Sequence, residues 1–156
     1  MKRFLIGIVL VSGMGAWLLM AQGSSLPPQG APSFSVRYLE GTQEQKARAY
    51  SPAVITEGGK IIWLAGTSGG GAPGNFSAQA GSVFDQMQAT LSRSGASLRN
   101  IVSMKVFLKS DPSNGDDLVK ILREVFPDGK YPASSVVTTA YSPSLIEIQA
   151  VAVVPY

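Results

Sequence analysis

LIEIQAVAVV, residues 145–154, is almost wholly apolar, yet it holds one acid, Glu147, and one amide, Gln149. The period is two. Ile146, Ile148, Ala150 and Ala152 fall on one side, while Leu145, Val151 and Val153 flank Glu147 and Gln149 on the other, a pattern that predicts a β-strand. A strand apolar on both faces belongs to a sheet that is covered on both. An isolated ionised carboxylate is costly to bury, so Glu147 faces either water or something that the protein holds.

Reading outward, ASSVVTTA (133–140) is a second strand just upstream, and IVSMKVFLKS (101–110) a third with alternating apolar positions. Between them, DPSNGDDLVKILREVFPDG carries cap residues around Asn114 to Asp116, helical spacing through Val125, and a stop at Pro127 to Gly129. A second helix is predicted from Ser77, which can cap it. Ala80, Val83, Phe84, Met87 and Leu91 recur at helical spacing, and Gly95 ends the run. AVIT and KIIWLAG flank a Gly-Gly turn and read as a hairpin; SFSVRYL, from Ser33, reads as a first strand; the polar EGTQEQKARAYSP between them reads as a loop. The order β, ββ, α, β, α, ββ predicts an α+β domain in which two helices cover one face of a single mixed sheet. The other face then needs a partner, so the strands imply an oligomer built on the open face, with Glu147 near the interface.

The N-terminus has a different character. Lys2 and Arg3 precede an apolar stretch from Phe4 to about Ala21, and Ala21-Gln22-Gly23 offers small residues for a signal peptidase. Residues 1–23 therefore predict a signal peptide or, uncleaved, a single membrane anchor, and hence a periplasmic or secreted protein or one tethered by that helix. Residues 24–32 form a Pro/Gly/Ser linker, and the folded domain is expected over 33–156.

Composition excludes several chemistries. The 156 residues include no Cys and no His, which removes disulfides, thiolate nucleophiles, Cys/His zinc sites and a histidine general base. The formal charge is +3, but two of the 13 basic residues lie in the leader, leaving 11 against 10 acids with no Lys/Arg run. Neither a basic stripe nor an aromatic platform for nucleic acid is visible. GTSGG (66–70) matches a nucleophile-elbow pattern, but Ser68 has no histidine to activate it. GGGAPG (69–74) matches a dinucleotide-loop pattern, but Pro73 removes a donor and no acid follows at the required distance. Asn75-Phe76-Ser77 is a glycosylation triplet by pattern. Asp111, Asp116, Asp117 and Glu124 cluster around one helix, where capping and solvent account for them. No cofactor is expected.

YSPAVITEGGKIIWLAGTSG, SVFDQMQATLSRSGASLRNIVSMKVFL, YPASSVV and LIEIQAVAVV, in that order and spacing, resemble the RidA/YjgF family over about residues 50–155. The resemblance implies a chorismate-mutase-like homotrimer with small-molecule clefts at the subunit interfaces. It also implies hydrolysis of enamines and imines to ketoacids and ammonia, with a glutamate of the last strand positioning water. On that pattern Glu147 takes the glutamate's place, Tyr50 the cleft tyrosine's and Gly66 the cleft glycine's, and Val136 is a further cleft-lining position. The family's carboxylate-gripping arginine follows Pro-Ala, and here that place is Ser134; a serine common beside the glycine is replaced by Ala65. Removing a charge-assisted hydrogen bond from a buried cleft costs roughly 1.5–3 kcal/mol. Two functions remain open: a deaminase-like hydrolase using Glu147 in a cleft shared with Tyr50 and Ser134 of a neighbouring edge, or a trimer that binds a small metabolite without turnover. Ribonuclease activity, sometimes attributed to relatives, ranks below both.

Overall fold

The computed structural model describes residues 33–70, 72, 74–111, 113–140 and 144–156. The leader and the whole of the linker expected at the N-terminus lie outside the described residues. Among those described, no helix is long and apolar enough to cross a membrane.

The described residues form six strands and three α-helices in the order β1 (Ser35–Tyr38), α1 (Gln43–Ala47), β2 (Val54–Glu57), β3 (Lys60–Ser68), α2 (Phe76–Ser92), β4 (Ile101–Lys109), α3 (Asn114–Val125), β5 (Ala133–Thr139) and β6 (Ile146–Val154). The main sheet is mixed and four-stranded, in the order β3-β6-β4-β5, which makes the last strand central. The β4–β5 pair is parallel, with α3 as its crossover, and the other pairs are antiparallel. The long helices α2 and α3 lie on one face. Against them pack Ile146, Ile148, Ala150 and Ala152, together with Met104, Val106 and Leu108 of β4. The α+β reading, with two helices on one face of a mixed sheet, holds.

Three local expectations change. First, β2 and β3 do not form a ladder: β2 pairs with β1 in a separate two-stranded ribbon, and β3 pairs with β6. Gly58 and Gly59 do make a tight turn, at φ 64° and 84°, but it is a corner between two sheets. A Cβ on Gly59 would strike the Val154 carbonyl and the Phe34 ring, so the chain passes where only glycine fits. The ribbon's Tyr38 phenol has its pKa raised by burial and, secondarily, by Asp128.

Second, the polar segment before Tyr50 contains a helical turn, α1. Thr42 and Gln45 close a capping box, the Gln45 N–H donating to Thr42 Oγ1 (3.3 Å) and the Thr42 N–H to Gln45 Oε1 (2.7 Å). Third, Asn75 rather than Ser77 caps α2, its Oδ1 accepting from the Ala78 N–H at 3.1 Å. At the far end Gly95, at φ 71°, lets its own N–H reach Ser92 O and the Ala96 N–H reach Leu91 O, a Schellman closure. Within α2, Gly81 is exposed and an added Cβ would meet no atom within 4 Å. Gly81→Ala is therefore expected to raise stability by about 0.5–1 kcal/mol, read as a higher urea midpoint at unchanged slope.

Candidate functional site

Tyr50 is held from both sides. Upstream, Arg123 Nη2 on α3 donates to the Ala47 carbonyl at 3.0 Å, and downstream Ser51 Oγ donates to Tyr131 O at 2.6 Å while the Ser51 N–H reaches Pro132 O. Between Arg48 and Tyr50 the fully buried Ala49 sits at φ 55°, in the left-handed region. For a residue with a Cβ that conformation costs roughly 1–3 kcal/mol and persists only where its surroundings impose it. The reversal lets Arg48 and Tyr50 border one cavity of about 300 Å³, together with Ser134 and Val136 of β5. Its remaining walls include Val106, Leu118 and Leu122. Ser134 Oγ donates to Pro132 O at 3.2 Å; the hydroxyl oxygen keeps its capacity to accept.

Glu147 lies elsewhere. It alternates with the buried Ile146 and Ile148 and so points from the sheet face opposite the helices. Across the strands it stands between Ser68 of β3 and Phe107 of β4. Near it the ladder is irregular: Leu64 pairs with Ala150 and Thr67 with Ile148, so Ala65 and Gly66 together oppose Gln149. This bulge turns Gly66 toward the acid. A Cβ on Gly66 would collide with Glu147 Oε1, so the absent side chain is what gives the carboxylate room. The strand's start is braced by the Leu145 N–H donating to Gln79 Oε1 (2.8 Å) and the Gly69 N–H donating to Ile146 O (3.1 Å). Among the described residues no hydrogen bond or ion pair reaches the Glu147 carboxylate, which is only half-buried.

Within one chain, then, the five expected residues form two groups. Tyr50, Ser134 and Val136 share the cavity beside the β5 edge. Gly66 and Glu147 meet on the opposite face, on the β3 edge and the adjoining β6, with β4 between them and β5. Arg48 was missed because its segment reads as a polar loop in the sequence; the Thr42-x-x-Gln45 box was the available sign that it is ordered. The Ser68 hydroxyl accepts from the Gly70 N–H, and among the described residues no group of acids could hold a metal ion.

Solved structures resemble this chain over most of its length. YyfB of Yersinia pestis, a Rid-family protein of unknown function, superposes with a TM-score of 0.68 at 21% identity, over 76% of this chain and 98% of its own; at that identity the likeness carries the fold. Rv2704 of Mycobacterium tuberculosis, a YjgF-family member, matches at a TM-score of 0.54 and 25% identity, over 77% of this chain and 100% of its own. Yeast Mmf1 matches at a TM-score of 0.54 and 25% identity, over 76% and 98%. No curated protein matches the chain. The family model described as Endoribonuclease L-PSP matches residues 42–154, a span that starts at the α1 cap and takes in both residue groups. By that match and by its two helices on a four-stranded mixed sheet, the chain belongs to the RidA/YjgF family and has its chorismate-mutase-like fold.

Proposed function

We propose that three copies of this chain join in a ring, the β5 edge of one meeting the β3 edge of the next, and that each joint encloses a site for hydrolysis of a small enamine or imine. The observation that carries this reading is the placement of the two residue groups near opposite edges of one sheet. A head-to-tail contact brings unlike edges together and closes when the rotation allows. The uncovered sheet face supports it: Ile61 and Trp63 are 57% and 75% exposed and Val137 stands beside Phe107 on the same face, an apolar surface suited to an interface.

In such a joint, the Glu147 carboxylate accepts a proton from water as its oxygen adds to the imine carbon. That proton passes on to the imine nitrogen, giving a carbinolamine, whose hydroxyl proton then moves to nitrogen as the C–N bond breaks to leave a carbonyl compound and ammonia. An enamine enters the same route after its β-carbon gains a proton. The basic and apolar leader supports an exported, periplasmic or secreted location, with tethering by that segment as the alternative. Binding without turnover is the second reading, favoured by the serine at position 134, which brings no charge to β5.

The purified chain is expected to elute with the mass of three copies. It is also expected to accelerate ammonia or ketoacid release from imines generated by an amino-acid oxidase. No acceleration over a panel that includes uncharged imines rejects the hydrolase reading, and ligand-dependent thermal shifts in its absence support the binding one.

A further inference from the structure

We infer that the cavity beside β5 selects neutral imines, those of aliphatic aldehydes and ketones that carry no carboxylate. This rests on the hydrolase reading and names the substrate class for it. Aliphatic side chains form most of the wall, among them Val106, Leu118, Leu122 and Val136. About 300 Å³ lies at the small end of the range for ligand pockets, roughly 300–1,000 Å³, which suits a short branched chain.

The three polar side chains at its border decide against an anion. Ser134 Oγ commits its one proton to Pro132 O, so toward the cavity it presents lone pairs. Arg48 stands with Asp116 of α3, Nη1 to Oδ1 at 3.4 Å, and both side chains are well over half exposed. Its charge is offset by that carboxylate and screened by water before it acts on anything inside. Tyr50 contributes a phenol, which can donate and accept. A carboxylate only accepts hydrogen bonds and has room for about four. Drawn from water into this wall, it meets one phenol donor and the lone pairs of Ser134, and a charge buried without donors is costly. A neutral imine has one N–H to give and one lone pair to fill. An accepting serine and a donating phenol answer those needs in kind, and the aliphatic body of the imine meets aliphatic walls.

The test uses the full chain and two matched pairs built on one isobutyl tail. Calorimetry compares 4-methylpentan-2-one with 4-methyl-2-oxopentanoate, the products of a neutral imine and of its carboxylate-bearing counterpart. The ketone is expected to bind about tenfold tighter than the ketoacid. Tyr50→Phe should weaken the ketone about fivefold, and Val136→Thr, which exchanges a methyl for a hydroxyl on the wall, about threefold. Arg48→Gln should leave the weak ketoacid affinity unchanged. Ketoacid binding as tight as the ketone, failure of both to bind, a ketone affinity that neither Tyr50→Phe nor Val136→Thr alters, or ketoacid binding lost in Arg48→Gln overturns the assignment. Turnover compares the imines of the same two products, each formed from its amine by an oxidase and each rate divided by its own uncatalysed rate. The neutral imine should show about tenfold the acceleration of the other. Acceleration of the carboxylate-bearing imine alone removes this assignment and keeps the hydrolase reading. A preference for the ketone without any turnover removes the hydrolase reading and keeps the cavity's choice of a neutral ligand.

Discussion

Glu147→Gln is expected to slow imine hydrolysis by about 10²–10⁴-fold, the usual contribution of a positioned general base, while leaving unfolding free energy within about 0.5 kcal/mol of the parent. The amide keeps the size and most of the shape of the side chain but cannot take a proton from water. Stability should barely change, because no described group hydrogen-bonds or ion-pairs with the carboxylate, and the side chain is only half-buried. That combination separates a chemical role from a structural one. A Glu147 that merely paired across a subunit seam would weaken assembly on substitution and leave turnover per assembled site intact. Gly66→Ala is the companion probe: its Cβ would occupy the space of Glu147 Oε1, so the acid must swing away and activity should fall although every polar group is retained. Full activity in Glu147→Gln at saturating substrate would end the role assigned to this residue.

The parts of the fold that could be read from the sequence were those whose signal is local. The period of two in residues 146–154 and the helical spacing from Ala80 to Leu91 each report a face that must be buried, and the structure buries those faces. The Gly58-Gly59 turn was also recognisable, but a turn does not say which strand its neighbours pair with. That choice was made by β6, which already offers β3 an edge, and by β1, which offers one to β2. The candidate site is harder still. Glu147 stood out from the strand pattern, whereas Tyr50, Gly66, Ser134 and Val136 were named from resemblance, and the division of these residues between two faces depends on register. Ser134 pairs with Met104, a helix-side residue, whereas Glu147 pairs with Phe107 on the open side. One residue of slip would exchange those faces. Arg48 has no periodic signal at all, because its position follows from a left-handed alanine that no pattern of apolar residues announces.

Phe126→Ala is expected to cost about 3–5 kcal/mol of stability, the largest structural effect among these substitutions. Phe126 closes α3, its N–H donating to Leu122 O at 2.9 Å and its carbonyl accepting from the Gly129 N–H at 3.1 Å. Its ring is 2% exposed and belongs to the core cluster formed by the helices and the inner sheet face. Truncation removes the transfer free energy of the ring and leaves a void that close-packed neighbours fill only in part. Domains of this size are typically stable by about 5–15 kcal/mol, so the urea midpoint should fall by roughly 1–3 M at an unchanged slope. The disturbance should reach the site through the chain itself. Beyond Phe126 comes Tyr131, whose carbonyl takes the Ser51 hydroxyl, and then Pro132, whose carbonyl takes the Ser51 N–H and the Ser134 hydroxyl. A loosened end of α3 therefore slackens the segment that holds Tyr50 against β5. Imine turnover in Phe126→Ala should fall even at temperatures where the variant is fully folded. A variant destabilised by less than about 1 kcal/mol would mean that the α3 end is not packed as the structure places it.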